Sequence, residues 1–586
     1  MKRTAAGPHS IGLLLSGAMC SLPFLIPYHQ LPVLSFYPEW LAAGLGVCAA
    51  LAALVPRGAA TASFPSPALW LAGFALFLLV RTADPAQPYP QISLLAALYV
   101  VFAVLMIWLG AQLAGVLGHE RVALVLAASL LAGALANALA GVIQLCGRPA
   151  VLEDIVAQLS GGRAYGNIAQ ANLYANYLAL GQCALLYLWY RLRVRTAYAV
   201  PAALLLAVAS ALSASRSAIL FAAWIALLGA LAGRFDAGPN GRRLKWAGYL
   251  VAAGMLAAYF SASSLGSLRP EVEPGSDPRW QIYALGWRVF AAAPIFGVGA
   301  GGFAGAAFAH GLEPSLTRIG EVLTSPHDLP LHLLAEAGIV GAVLVLGALA
   351  VWGRQLARHC LANPPPALWW VVAASGVELI HSLVEFPFWS ADFLGVAALL
   401  LGVGVASGAP TRSRLAPERI AAASCCAALV FALVALLRDY VRLDATRITG
   451  SAVTLASPAD ARRDSATLES VSRGLLAPVA ELWIVLGAPL DRSDLSAKLA
   501  ISGRVAAAWP SQAAVVRRSV FLALNGDAED ARALLERALR TFAHLRPAII
   551  AILEEASVAD ADALRPLLLR ARGTATESSN AFERRK

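Results

Sequence analysis

The chain has 586 residues, 59% of them hydrophobic and only 14% charged, which excludes a water-soluble globular protein and indicates an integral membrane protein. Charge is unevenly spread: residues 438–586 hold 39 Lys, Arg, Asp and Glu side chains against 41 in the preceding 437 residues, so a membrane domain at 1–437 is followed by a water-soluble tail at 438–586. The net charge of +10 needs no nucleic acid to explain it, because much of the excess falls in short loops facing anionic lipid. Seven cysteines show neither a CxxC pair nor a regular spacing, so neither a disulfide framework nor a thiolate metal site is suggested.

A membrane-crossing helix needs about 20 apolar residues, since each rises ~1.5 Å through a hydrocarbon layer ~30 Å thick. Uncharged windows occur at 4–38, 40–56, 58–80, 85–119, 122–147, 164–190, 196–215, 217–233, 246–268, 337–353, 359–377, 393–411 and 420–437, predicting thirteen helices. Lys2 and Arg3 flank the first, which the many later spans mark as a signal anchor. With the N-terminus inside, sixteen Lys and Arg fall in inner segments, while the short outer loops hold only Arg81, Arg148, Arg163 and Arg216. That bias places the loop at about 263–336 outside, together with the tail from Arg438, and so puts the functional surface on the extracytoplasmic face.

The 263–336 loop opens on an irregular Ser261–Pro278 approach, followed by a helix from Arg279 to about Ala293 that Pro294 stops. Gly297, Gly299, Gly301 and Gly302 then let the backbone approach a neighbour closely; without a preceding strand they are a weak nucleotide signal. The loop ends in Ser325-Pro326-His327-Asp328 and a helix, Leu331 to Gly338, leading into the tenth span. In the tail, Ala531, Leu534, Leu535, Ala538 and Leu539 recur at helical spacing, with Asn525-Gly526-Asp527 between two helices and Pro547 beyond. The pattern is that of a tetratricopeptide-like unit, with a weaker second one around 465–510; an ordinary helical domain fits equally well.

Polar groups at the outer ends of membrane helices are costly, so each is a candidate for function. The sixth span opens on Gly166-Asn167-Ile168-Ala169-Gln170-Ala171-Asn172, where Asn167 could cap the helix while Gln170 and Asn172 bond to neighbours or serve a site. Ser213-Ala214-Ser215-Arg216-Ser217 holds Arg216 at the membrane surface, and Arg279 and Arg288 stand on the loop helix. Arginine forks suit phosphate oxygens, although each arginine taken singly is more often a solvated surface charge. His327, with Asp328 beside it and Glu336 nine positions on, could take a proton from a hydroxyl nucleophile, or could simply cap or pack, with His332 its structural neighbour. The spacing places Glu378, His381 and Glu385 on one side of a helix; the offsets do not form HExxH and no three metal ligands are evident, so metal-independent, cofactor-free chemistry is expected.

The order of GNxxQxN, Ser-x-Ser-Arg-Ser, Arg279 ahead of Pro294-Ile295-Phe296-Gly297-Val298-Gly299, Pro326-His327-Asp328 with Glu336-Ala337-Gly338, and His381-Ser382-Leu383-Val384-Glu385-Phe386-Pro387 resembles the O-antigen ligase and polymerase superfamily. Within it, the HSLxEFP segment and the helical outer tail look like the bacterial O-linked protein oligosaccharyltransferases, or pilin glycosylation ligases. The resemblance implies an all-α, multi-pass enzyme of the bacterial inner membrane with its site facing the periplasm. It would move a glycan from an undecaprenyl-diphosphate carrier to Ser or Thr of a pilin-like periplasmic protein. Carried over, His327 would be the catalytic histidine, Arg216 and Arg279 would bind the donor diphosphate, and Gln170 would line the donor site. One departure stands out: the family usually has Tyr after the Glu, where this chain has Phe386, so no phenol can act there. The alternatives are the same chemistry with a lipid or polysaccharide acceptor, as in an O-antigen ligase or polysaccharide polymerase, and a lipid or glycan transporter. A transporter would favour midplane charges and inverted repeats, which the sequence does not show.

Overall fold

The computed structural model describes residues 6–55, 63–159, 161–264, 279–311, 323–361, 364–405, 416–446 and 458–583. Among them the chain is helical throughout, with short 3-10 turns and no strand. The first half runs through α1 (Ala6–Met19), α2 (Phe36–Leu54), α3 (Ser66–Arg81), α4 (Pro90–Leu117), α5 (His119–Cys146), α6 (Ala171–Tyr190), α7 (Thr196–Leu212) and α8 (Ser217–Ala230). A single turn, α9 (Ala232–Phe235), precedes α10 (Pro239–Ser264); the outer loop carries α11 (Arg279–Ala292) and α12 (Phe303–His310); then follow α13 (Leu329–Leu361), α14 (Pro366–Ser382), α15 (Ala391–Val405) and α16 (Ala416–Asp444). Each of the thirteen uncharged windows holds one of these helices. Six of the described helices are long and apolar enough to cross a membrane: the segment Gly7–Leu25, α2, α4, α5, α13 and α16. Others, including α3, α7, α8 and α15, are apolar but shorter.

Small residues let the central helices meet backbone to backbone, as is common where lipid supplies no hydrophobic drive. Where α4 crosses α15, a Cβ on Gly110 would stand 2.2 Å from the Leu399 carbonyl oxygen, and one on Gly402 would stand 2.0 Å from that of Ile107. In the same core cluster Trp108, Trp369, Trp370, Tyr174, Tyr177 and Phe393 are wholly buried.

The outer loop is built against a break in α13. Gly338 has φ 66° and ψ −167°, a conformation essentially confined to glycine, and it separates an outer piece, Leu329–Ala337, from the membrane piece. The backbone groups exposed by the break are paired by the glycine-rich turn. The N–H groups of Val298 and Gly299 donate to the carbonyls of Ala335 (3.0 Å) and Glu336 (2.9 Å), and the Ile339 N–H donates to Pro294 (2.9 Å). The expected helix from Arg279 ends at Ala292, just short of Pro294. Of the Ser261–Pro278 approach, Ser261–Ser264 complete α10 and the rest lies outside the described residues.

The tail consists of α17 (Pro458–Val471), α18 (Ala477–Gly487), α19 (Leu495–Ala508), α20 (Gln512–Asn525), α21 (Ala528–Thr541), α22 (Arg546–Ser557) and α23 (Ala561–Glu583). From α17 to α21 each helix packs on the next, α22 packs on α20 and α23, and α20 with α21 forms the expected unit, burying Ala531, Leu535, Ala538 and Leu539. Gly526, at φ +97°, terminates α20 with a left-handed residue. Beyond residue 437, α16 continues to Asp444 and packs Tyr440 and Leu443 against Leu468 and Val471. The tail then docks on the membrane helices at the end that carries α11 and α12. Tyr89, just before α4, donates to Glu481 (2.7 Å), which also pairs with Arg504 (2.6 Å), and Phe308 of α12 stacks on Phe542 at 6.2 Å.

Candidate functional site

Three loops meet where α6, α8 and α13 begin, and each contains a non-glycine residue in the left-handed region: Ala169 (φ 60°), Ala214 (φ 51°) and His327 (φ 56°). Such conformations cost energy and persist where surrounding contacts over-determine them, commonly at functional sites. At His327 the restraints are visible: its N–H donates to the Ser325 hydroxyl (3.1 Å), and its ring sits 5.2 Å from that of Phe386.

The imidazole is oriented by a chain of hydrogen bonds. His327 Nδ1 lies 3.0 Å from Glu385 Oε2; the other carboxylate oxygen, Oε1, accepts from Asn172 Nδ2 (2.5 Å); and Asn172 Oδ1 accepts from Arg163 Nη2 (3.0 Å). A guanidinium only donates, which fixes the Asn172 amide with its NH2 toward Glu385. A carboxylate only accepts, so Nδ1 of neutral His327 carries the proton and Nε2 is left as the basic nitrogen. The His327 side chain is 34% exposed while that of Glu385 is 9% exposed, so the base reaches solvent and its partner does not.

Burial pushes the Glu385 carboxyl up, but the His327 hydrogen bond and charge, the His381 charge and the Asn172 bond outweigh it and bring it below its usual 4.5. A carboxylate depressed on folding stabilises the fold above its ordinary value and loses that contribution as pH falls through the lowered one. The unfolding midpoint of the purified protein is therefore expected to be level in this respect above pH ~4.5 and to fall below it. In Glu385→Gln this acid-side fall should be reduced; a curve identical to that of the parent protein would exclude the assigned pairing.

The other sequence candidates have distinct positions. Gln170, rather than Asn167, caps α6, its Oε1 accepting from the Leu173 N–H at 2.5 Å. Asn167 instead pins the preceding loop, donating to the carbonyls of Leu25 (2.9 Å) and Ile155 (2.7 Å) and accepting from the Ala157 N–H (2.9 Å). Asp328 caps the outer piece of α13 through the Leu331 N–H (2.8 Å), and burial holds its carboxyl above the usual range. Glu336 faces the glycine turn, accepting from the N–H groups of Gly301 (2.9 Å) and Phe303 (3.1 Å), with His332 Nε2 at 3.1 Å. His381 is wholly buried beside Phe221, and its carbonyl accepts the Glu385 N–H (2.8 Å), so it shapes the turn that presents Glu385. The spacing argument for one helical face across Glu378, His381 and Glu385 does not hold, because α14 ends at Ser382 and Glu385 stands in the following turn. Glu378, inside the helix, accepts from Asn176 at 3.1 Å.

Arg216 is exposed at the start of α8, and Arg279 and Arg288 are half-buried on α11. That helix packs at Gly286 on Pro326 and Leu331, either side of His327, which brings its arginines to the same end of the bundle. The residue sequence reasoning passed over is Arg163, which had counted only as one of four outer positive charges.

Beside this cluster, a cavity of about 540 Å³ runs between α3, α4, α13, α14 and α15. Its walls are mostly apolar, Leu78, Leu333 and Leu401 among them, while His332, Glu336 and Trp389 and the tail's Trp509 also line it. Phe386 and Trp389, with rings 6.4 Å apart, stand between the cavity and His327.

Residues 201–346 match the family model described as O-antigen ligase, and residues 369–550 match the one described as virulence factor membrane-bound polymerase, C-terminal. No curated protein matches the chain. The first match spans the Arg216 loop, α11 and His327; the second spans Glu385 and most of the tail; Arg163 and Asn172 precede both.

Proposed function

Because the chain belongs to the O-antigen ligase and polymerase superfamily, membrane proteins that transfer glycans, we propose that it is an O-linked oligosaccharyltransferase, moving a glycan from undecaprenyl diphosphate to Ser or Thr of a pilin-like protein. The observation that carries this reading is the bond between His327 and Glu385, which leaves a basic Nε2 at the surface of the outer-loop cluster. An acceptor hydroxyl held there gives its proton to Nε2 as its oxygen bonds to the anomeric carbon. The bond from that carbon to the diphosphate oxygen breaks, and the electron pair leaves with the lipid diphosphate. Fixed guanidinium groups at the same face, Arg216 and Arg279 in this proposal, neutralise the charge that develops. Once the proton returns to the diphosphate or to solvent, His327 is restored.

The apolar cavity supports a lipid-borne donor, since an isoprenoid chain fits mostly hydrocarbon walls at membrane depth. The docked tail supports a protein acceptor: it adds Trp509 to the cavity wall, and its helical hairpins are of a kind that holds peptides. Its outer charge pattern and the positive inner loops favour an inner-membrane enzyme working on the periplasmic side, with residues 1–437 as the catalytic domain and 438–586 as the acceptor-binding domain. The match described as O-antigen ligase favours one competing acceptor, a glycolipid.

The test is reconstitution of the full chain with an undecaprenyl-diphosphate glycan and, separately, a pilin and a lipid A core. A glycan-sized mass on a pilin Ser or Thr is expected; modification of the lipid alone would overturn the protein-acceptor reading. In the same assay Glu385→Gln should slow transfer roughly 10²-fold, within the range of general acid–base effects. A carboxamide has one acceptor oxygen and cannot serve both Asn172 Nδ2 and His327 Nδ1.

A further inference from the structure

Arg163 is half-buried, and its hydrogen bonds use one edge of the guanidinium: Nε donates to the Ser213 carbonyl (2.7 Å) and Nη2 to Asn172 Oδ1 (3.0 Å). Among the described residues no acceptor meets Nη1, and no carboxylate stands at ion-pair distance from this arginine. The neighbouring backbone, Ala164 N–H to the Leu212 carbonyl at 3.1 Å, lays the Arg163 loop along the segment that carries Arg216 three residues after Ser213. Burial disfavours the Arg163 charge and so does the nearby Arg216, with Glu385 and Tyr259 acting the other way. Two guanidinium groups near enough to disfavour each other's charge, one of them partly desolvated and with no carboxylate at ion-pair distance among the described residues, make a setting that suits an anion.

We propose that Arg163 is a diphosphate-binding residue, offering Nη1 and the remaining Nη2 proton to the phosphate oxygens of the lipid donor while its other edge holds Asn172 and Ser213. The inference deepens the donor reading above and rests on it for the identity of the anion. The site lies three hydrogen bonds from His327. A phosphate drawing on Arg163 would therefore act on the group that aligns Asn172, Glu385 and the base, so donor binding and alignment of the base share one residue. None of this follows from the resemblance, which points to Arg216 and Arg279.

The decisive measurement is direct binding, which does not depend on turnover. Full-length protein in lipid nanodiscs is titrated with farnesyl diphosphate, inorganic pyrophosphate and farnesol. Arg163→Gln should weaken both diphosphates about tenfold or more, as expected for loss of a charge-assisted contact, and leave farnesol unchanged. Arg163→Lys, which keeps the charge but not the fork, should bind the diphosphates better than Arg163→Gln and still lose transfer activity, because Asn172 is no longer held. Undiminished farnesyl diphosphate affinity in Arg163→Gln overturns the proposal, as does a loss confined to farnesol. If the Gln variant does not fold, the Lys variant decides alone: transfer and its pH profile identical to those of the parent protein would exclude the role. Should diphosphate binding respond as expected while no glycan is moved by any variant, the anion site stands and the transferase reading fails.

Discussion

The His327→Ala variant is expected to transfer glycan ~10²–10⁴-fold more slowly than the parent chain, the range spanned by loss of a general base. The expectation follows from geometry. Only Nε2 of this imidazole is left basic, because Glu385 takes Nδ1 and is itself held by Asn172. An alanine variant alone would leave a question, since position 327 has φ 56° and a substitution there also disturbs the turn. Asparagine tolerates left-handed backbone, and its amide can still donate toward Glu385, so His327→Asn keeps the turn and removes the base. Both variants should insert, His327→Asn should unfold as the parent does, and both should be nearly inactive. Substantial transfer by His327→Asn would remove the histidine from the chemistry, whatever the alanine variant did.

Much of the fold is legible because lipid demands long apolar helices whose ends are marked by charge and proline. The break at Gly338 and the stop before Pro294 are local signals of the same kind, and the structure places both where the chain announces them. Asn172 and Glu385 are another matter, being 213 positions apart and joined only by how α6 and α14 pack. Their residue types made them candidates, but the bond between them has no sequence signal. Local backbone also misled. Left-handed Ala169 delays the start of α6 to Ala171, which shifts the cap from Asn167 to Gln170. An end to α14 at Ser382 takes Glu385 off the helical face that its spacing suggested and puts it in a turn, where it reaches His327. Arg163 was hidden among ordinary outer charges, because nothing in a sequence shows that an arginine lacks a carboxylate.

The site therefore depends on the loops being held at a fixed height above the membrane helices, and the outer piece of α13 sets that height for His327. Ser325 shows how tightly this is arranged: its hydroxyl accepts the His327 N–H and lies 3.1 Å from His332 Nδ1, so the base and the helix behind it share one anchor. Glu336 on the same helical piece binds the glycine turn through Gly301 and Phe303, tying α12, on which the tail rests, to the segment carrying the base.

Gly338→Ala is accordingly expected to be among the most damaging single changes outside the hydrogen-bonded chain at His327. A side chain there meets two penalties at once. The φ of 66° with ψ −167° is open in practice only to glycine, and a Cβ would stand 2.3 Å from the Ile295 carbonyl oxygen, a backbone atom that cannot move aside alone. Relief requires either straightening α13 or expelling the 294–299 turn. Either course costs the bonds from Val298, Gly299 and Ile339 and moves Glu336 off the N–H groups of Gly301 and Phe303. The sum is roughly 3 kcal/mol or more, enough to lower the unfolding midpoint by several degrees and to depress transfer through the displaced His327. Gly353→Ala, on the membrane piece of the same helix with no heavy atom within 4 Å of the added carbon, is the control, and should change stability by under ~1 kcal/mol. If Gly338→Ala proved as stable and active as this control, the break in α13 would have no part in holding the outer loop.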